Sequence, residues 1–179
     1  MQTFMPYSQF IEVAKCLDNK RLGKQRVEVW VIYQTLEKMK IAKGICPKCK
    51  QLFDKKYSEC ICGYTGTYLK KIPWSNHPIV KMWNGYESAL LRYGLFICDE
   101  WKRRGFVDKM KNKFIEELGK RALQLGPGDF LKGEPEWIKN TSLMASHRSN
   151  LLRKNYNHYK QFGWNVPNDL PYVWIKKTE

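Results

Sequence analysis

No apolar run in the sequence approaches the ~18 residues that a membrane span needs. The opening stretch, MQTFMPYSQF, lacks the charged-then-apolar pattern of a secretion signal. Together these absences point to a cytoplasmic protein. Acidic side chains are scarce, 17 against 32 Lys and Arg, and the three histidines are scattered. With neither an HNH arrangement nor a carboxylate cluster, a metal-dependent nuclease is disfavoured. Internal repeats and low-complexity tracts are missing too, which excludes solenoids and extended linkers. The six cysteines do not form a disulfide framework: four cluster, and Cys16 and Cys98 sit inside helical patterns. Without a secretion signal they suit a reducing compartment.

What the chain does have is positive charge, +15 overall, and aromatic rings, at 14% of 179 residues. Cations attract a polyanion and rings stack on bases, so nucleic acid is the expected partner. The plainer reading is a basic protein with an aromatic core. The length suits one domain, with room for a small insert.

The patterning is helical. A short helix over 9–17, for which Ser8 can be the cap, precedes a long one that Asp18 starts and Gly44 ends. A third opens at Ser75-Asn76-His77-Pro78 and runs to Arg104, with Gly105 as a left-handed cap. Trp83, Tyr86 and Tyr93 repeat along it at core spacing. Asp108 can cap a helix to Leu125; a Gly- and Pro-rich loop follows to Trp137, then a helix from Ser142 to Lys154. The remaining tail reads as irregular. The fold expected is mainly all-α: residues 1–44 and 73–179 form one compact helical domain, and 45–72 form a Cys-rich insert.

Within that insert, Cys46 and Cys49 form C-x2-C, and Cys60 and Cys62 form C-x-C. Two close thiol pairs, with Gly63 and Gly66 for tight turns, suit tetrahedral Zn²⁺ in a small zinc-ribbon-like unit. A redox pair or free thiols are the other readings. Four thiolates leave no open coordination position, so the metal is expected to be structural, with no catalytic cofactor. Lys48, Lys50, Lys55 and Lys56 around it could touch DNA.

On a helical wheel of the second helix, Arg26 falls within the apolar stripe of Leu22, Val29, Tyr33 and Leu36. A buried guanidinium is costly unless paired. Two explanations stand: an internal ion pair with Asp99 or Glu100, or a cleft for phosphate. Arg21, Lys24, Gln25 and Glu28 form the adjoining polar face.

The order of several motifs resembles the pyrimidine-dimer DNA glycosylases of the phage endonuclease V type, and more closely a bacterial and phage branch of that family. The motifs are the start MQTFMPY, then LDNKRLGKQRVE, NHPIVKMWNGYE, CDEWKRRGF, SHRSNLLRK, NHYKQFGW and DLPYVW. The resemblance implies a monomeric helical enzyme acting on double-stranded DNA with a damaged or modified pyrimidine. It implies a flipped nucleotide, attack of the N-terminal amine on C1′, an imine, and strand nicking by β-elimination. An α-amine, with a pKa of ~7.7–8, is partly neutral at pH 7 without burial, unlike an ordinary Lys.

The nucleophile carries over to Met1, retained because Gln2 is bulky; Lys24 is the substitute. Gly23 stands where the phage enzyme has its acid, so Glu28, then Asp18, is expected to serve instead. Arg21 and Arg26 match the family's helix arginines, expected at phosphates. His77 matches a histidine ahead of the family's next helix, or simply caps that helix. His147, Arg148, Arg153 and Lys154 crowd one short helix, as a phosphate-binding face or simply a solvated one. Lys160, between Tyr159 and Phe162, suits backbone contact with base stacking. A non-catalytic DNA-binding protein on the same fold is the competing reading.

Overall fold

A computed structural model describes residues 1–42, 46, 48–49, 51, 60–64, 72–125 and 133–175. Its helices are α1 (Phe10–Cys16), α2 (Asn19–Ala42), α3 (Pro78–Trp83), α4 (Glu87–Arg103), α5 (Lys111–Leu125), α6 (Thr141–Lys154) and α7 (Tyr156–Tyr159). Two 3₁₀ turns, Glu136–Lys139 and Lys160–Phe162, complete the set, and the described residues contain no strand. The protein is helical, and no helix among these residues is long and apolar enough to cross a membrane.

Helix α4 is the hub, packed against α1, α2 and α5. Leu90, Leu91, Tyr93, Ile97 and Cys98 on it are fully buried, facing Leu22, Val29, Ile32 and Leu36 of α2. Each such apolar side chain contributes about 1.5–3 kcal/mol relative to exposure. The close approach depends on Gly94: a Cβ there would lie 2.9 Å from Phe114 and 3.0 Å from Val29. Trp83 is fully buried and meets Trp137 edge-on at 4.9 Å, with Tyr93 beside it; Tyr86 is only half-buried.

The expected single helix from Pro78 to Arg104 is broken. Asn84 is extended and Gly85 adopts φ +83°, while Glu87 Oε1 accepts the Gly85 N–H at 3.2 Å. Asn-Gly is a turn signal strong enough to interrupt an unbroken apolar periodicity. Caps differ in detail. Pro78 at the first helical position leaves His77 as the N-cap of α3, as the capping reading of that residue expects. Gln9 rather than Ser8 precedes α1, and Asn140 caps α6. Gly105 closes α4 with φ +86°, as its position predicts.

The carbonyls at the end of α1 would be orphaned without outside donors. Arg104 donates to the carbonyls of Leu17 at 2.6 Å and Lys15 at 2.9 Å, and His158 Nε2 lies 2.9 Å from that of Cys16. Two irregular segments are held in the same way. Residues 2–5 run buried across α2, α4 and α6. Residues 170–173 strap onto α6: Ser149 Oγ accepts the Leu170 N–H, Ser146 Oγ accepts the Val173 N–H, and Asn150 donates to Leu170 O. Both segments deliver side chains to one cleft.

Candidate active site and metal centre

That cleft, about 310 Å³, is lined by Met1, Gln2 and Phe4, by Lys20, Arg21, Lys24, Gln25 and Glu28 of α2, by Lys154, and by Tyr172. Its cations are Lys20, Arg21, Lys24, Lys154 and the terminal amine; its one carboxylate is Glu28. Such an imbalance concentrates phosphate.

Glu28 ties the N-terminal peptide to α2. Its Oε2 accepts the Gln2 backbone N–H at 2.9 Å and a Gln25 side-chain N–H at 3.3 Å, and Oε1 lies 3.5 Å from Lys24 Nζ. Gln25 adds two bonds, donating to Gln2 O at 2.8 Å and accepting the Phe4 N–H at 3.1 Å. Trp83 Nε1 donates to Thr3 Oγ1 at 2.9 Å, and His147 Nδ1 accepts the Met5 N–H at 2.8 Å. Every residue from 2 to 5 is therefore fixed, and Met1, the residue before them, lines the cleft together with Glu28 and the cations.

Asp18 and Arg21 form a unit at the start of α2. Asp18 Oδ1 accepts the Arg21 N–H at 2.9 Å and Oδ2 pairs with Arg21 Nη1 at 3.0 Å. Burial would raise the Asp18 pKa, but the Arg21 amide, the Tyr159 hydroxyl and the Arg21 charge outweigh it and hold it low. Asp18 is thus a helix cap that orients Arg21, whose other end donates to Lys154 O at 3.0 Å. Burial, then Arg21, Arg153 and Lys24, lower the Lys154 pKa. Cations packed that close suit an anion between them.

Several expected residues lie elsewhere. Arg26 does not face the cleft: its Nη1 pairs with Asp108 Oδ1 at 2.5 Å and its guanidinium stacks 4.2 Å from the Trp101 ring. The ion pair explains its inward position, with Asp108 rather than Asp99 or Glu100 as partner. Trp101 also crowds Gly23, where a Cβ would meet it at 3.0 Å. A side chain at position 23 would need that ring to give way; Glu28, the carboxylate that lines the cleft, lies five residues further along α2.

His147 is 1% exposed, and burial pulls its pKa down to about 3, so it stays neutral and presents no charge to DNA. Arg148 donates to Pro6 O at 2.8 Å and lies over Tyr7 and Trp164. Arg153, exposed, bonds Asn150. Of the four on that helix, only Lys154 reaches the cleft. Lys160 is exposed, but Tyr159 is fully buried and stacks with Trp164 at 5.7 Å, as does Phe162 at 5.2 Å. Those rings are committed to each other, not free for bases.

His77 Nδ1 accepts the Ile79 N–H at 3.2 Å, between the rings of Trp74 and Trp174. Burial lowers its pKa, and the nearby terminal amine lowers it further; His77 is not among the residues that line the cleft. Sequence reasoning passed over Lys20, Phe4 and Tyr172 as cleft residues. Tyr172 was legible only as part of DLPYVW, whose role depends on α6 holding it.

The four cysteines come together as their spacing predicts. The Sγ atoms of Cys46, Cys49, Cys60 and Cys62 all lie within 4.8 Å of one another, a set that can hold a metal ion. Burial raises the Cys46 pKa, but the amides of Cys49 and Lys48 outweigh it and bring the thiol down to about 6. Lys48 Nζ donates to Cys62 O at 3.1 Å. Lys50, Lys55, Lys56 and Gly66 lie outside the described residues, as does most of the loop after Leu125.

The family model for pyrimidine dimer DNA glycosylase matches residues 1–114. The chain belongs to this family. No curated protein and no solved structure matches it. Membership supports a DNA glycosylase function, with DNA as substrate, at the level of the family. The matched span holds the whole N-terminal segment and α2, and so most of the cleft. Lys154 and Tyr172, which close the cleft, lie beyond it.

Proposed function

We propose that this glycosylase also has AP-lyase activity and acts on a damaged or modified pyrimidine in double-stranded DNA, cyclobutane dimers being the family expectation. Met1, retained as the N-terminal residue, supplies the nucleophile and Glu28 the assisting carboxylate. The observation that carries the reading is the 2.9 Å bond from the Gln2 N–H to Glu28, next to Met1 in a cation-lined cleft.

In this mechanism the neutral amine adds to C1′ of an everted deoxyribose as the C1′–N bond to the base breaks, and the base leaves with the bonding electrons. The amine gives up its protons as O4′ leaves C1′ and is protonated, so the ring opens to an imine. Removal of a C2′ proton then expels the 3′ phosphate. Glu28 is placed to move protons at the sugar, and the flanking cations hold the neighbouring phosphates. The four thiolates are assigned to a structural Zn²⁺. The enzyme acts as a monomer in the cytoplasm.

The test is a panel of duplexes with defined pyrimidine lesions, incubated with borohydride. An N-terminal extension that survives processing should abolish the covalent adduct and leave DNA binding intact. An extended protein that nicks as well as the native one refutes the amine as nucleophile. Binding without an adduct on any lesion indicates a non-catalytic DNA-binding protein.

A further inference from the structure

Behind the cleft wall lies a buried imidazole that the chemistry above does not use. His147 sits edge-on to the rings of Phe4 at 5.9 Å and Tyr172 at 6.1 Å, both of which line the cleft. Its Nδ1 accepts the Met5 N–H at 2.8 Å. A nitrogen that accepts carries no proton, so in the neutral ring the proton is on Nε2. That Nε2 lies 3.2 Å from the Gln2 carboxamide nitrogen, and Gln2 Oε1 is, among the described residues, the buried side-chain atom without a partner. Two donors do not bond each other. Turning the carboxamide by 180° presents Oε1 to the Nε2–H, the one orientation that makes a hydrogen bond to the ring.

We infer that His147 is a positioning residue: held as the Nε2–H tautomer by Met5, it grips the Gln2 side chain and thereby sets where Met1 stands against Glu28. The inference rests on the proposed N-terminal nucleophile. Gln2 is gripped at three points: its N–H by Glu28, its carbonyl by Gln25 and its carboxamide by His147. Two of these act on the backbone and leave the peptide able to pivot about them; the third resists that pivot. A misplacement of about 1 Å at a reacting group costs on the order of 100-fold in rate.

The test uses His147→Asn and Gln2→Met in the full chain. Asn keeps an oxygen where Nδ1 accepts the Met5 N–H but removes the donor to Gln2. Met keeps a bulky second residue, so Met1 stays. Both cut the same bond. Each is expected to slow imine trapping at saturating DNA by roughly 10- to 100-fold with the Kd for DNA within about 3-fold, and the double variant should be no slower than the slower single. Circular dichroism establishes that each variant is folded at the assay temperature. Single variants that trap at the native rate, or losses that multiply in the double variant, overturn the inference and leave the proposed function standing. A native protein that forms no adduct overturns the proposed function, and the positioning role falls with it. Independently, ¹⁵N spectra should show His147 Nδ1 unprotonated and Nε2 protonated; the reverse tautomer contradicts the inference whatever the activity.

Discussion

The Arg26–Asp108 pair, which joins α2 to the start of α5, offers a sharp test of the fold. The Asp108 side chain is buried, pairs with Arg26 at 2.5 Å, and caps α5 by accepting the N–H groups of Met110 at 3.1 Å and Lys111 at 2.7 Å. Asp108→Ala removes the cap, about 1 kcal/mol, and leaves a guanidinium that is 15% exposed without its partner, about 3 kcal/mol. The sum is about 4 kcal/mol, a large part of a typical 5–15 kcal/mol. With a urea m-value of about 2 kcal/mol/M, the midpoint should fall by roughly 2 M. Arg26→Met with Asp108→Asn should cost far less, because neither charge is then stranded. Burial would raise the Asp108 pKa, but the Lys111 amide and Arg26 outweigh it and lower it. A depressed carboxylate stabilises above its unfolded pKa, ~3.9. The gap between native and Asp108→Ala proteins should therefore be full at pH 7 and close as pH falls below about 4. In DNA binding, Arg26→Met should leave the slope of log K against log salt unchanged, whereas Lys154→Met should reduce it by about 0.9. A reduced slope for Arg26→Met, with a urea midpoint for Asp108→Ala close to the native one, refutes the assignment and puts Arg26 on DNA.

Other outcomes follow from single sites. Glu28→Gln keeps an acceptor for the Gln2 N–H but loses the proton-transferring carboxylate, so single-turnover nicking should fall by about 10²- to 10⁴-fold with little change in Kd. Gly94→Ala gains helix propensity, but its Cβ has no room between Phe114 and Val29; thermal unfolding should show a net loss of about 1–3 kcal/mol. Elemental analysis should find about one zinc per chain, lost in a Cys46→Ser, Cys49→Ser double variant, with nicking of lesion DNA by the native protein unaffected by EDTA that leaves this zinc bound.

Local features were the legible ones. Apolar periodicity located the long helices, and Cys spacing located the thiol cluster, because each depends on residues near one another in the chain. Glu28 could be placed on the polar face of α2 for the same reason. What escaped depends on partners far away. A wheel shows that Arg26 points inward, but not that Asp108, from the α4–α5 turn, would be waiting. The sequence groups His147 with Arg148, Arg153 and Lys154 on one phosphate-binding or solvated face, yet His147 and its neighbours Ser146, Ser149 and Asn150 are buried. They are buried because two irregular segments, residues 2–5 and 170–173, lie on α6 and need hydrogen-bond partners there. The α3–α4 break was visible as Asn84-Gly85, yet the apolar repeat ran through it.

The central claim is tested most directly by locating the covalent bond. The native protein is trapped with borohydride on a duplex bearing the lesion it excises and digested to peptides, and the sugar adduct is mapped by mass spectrometry. The account predicts the modification on the α-nitrogen of Met1. An adduct on Lys24, or on any other side chain, with Met1 unmodified or removed, contradicts it.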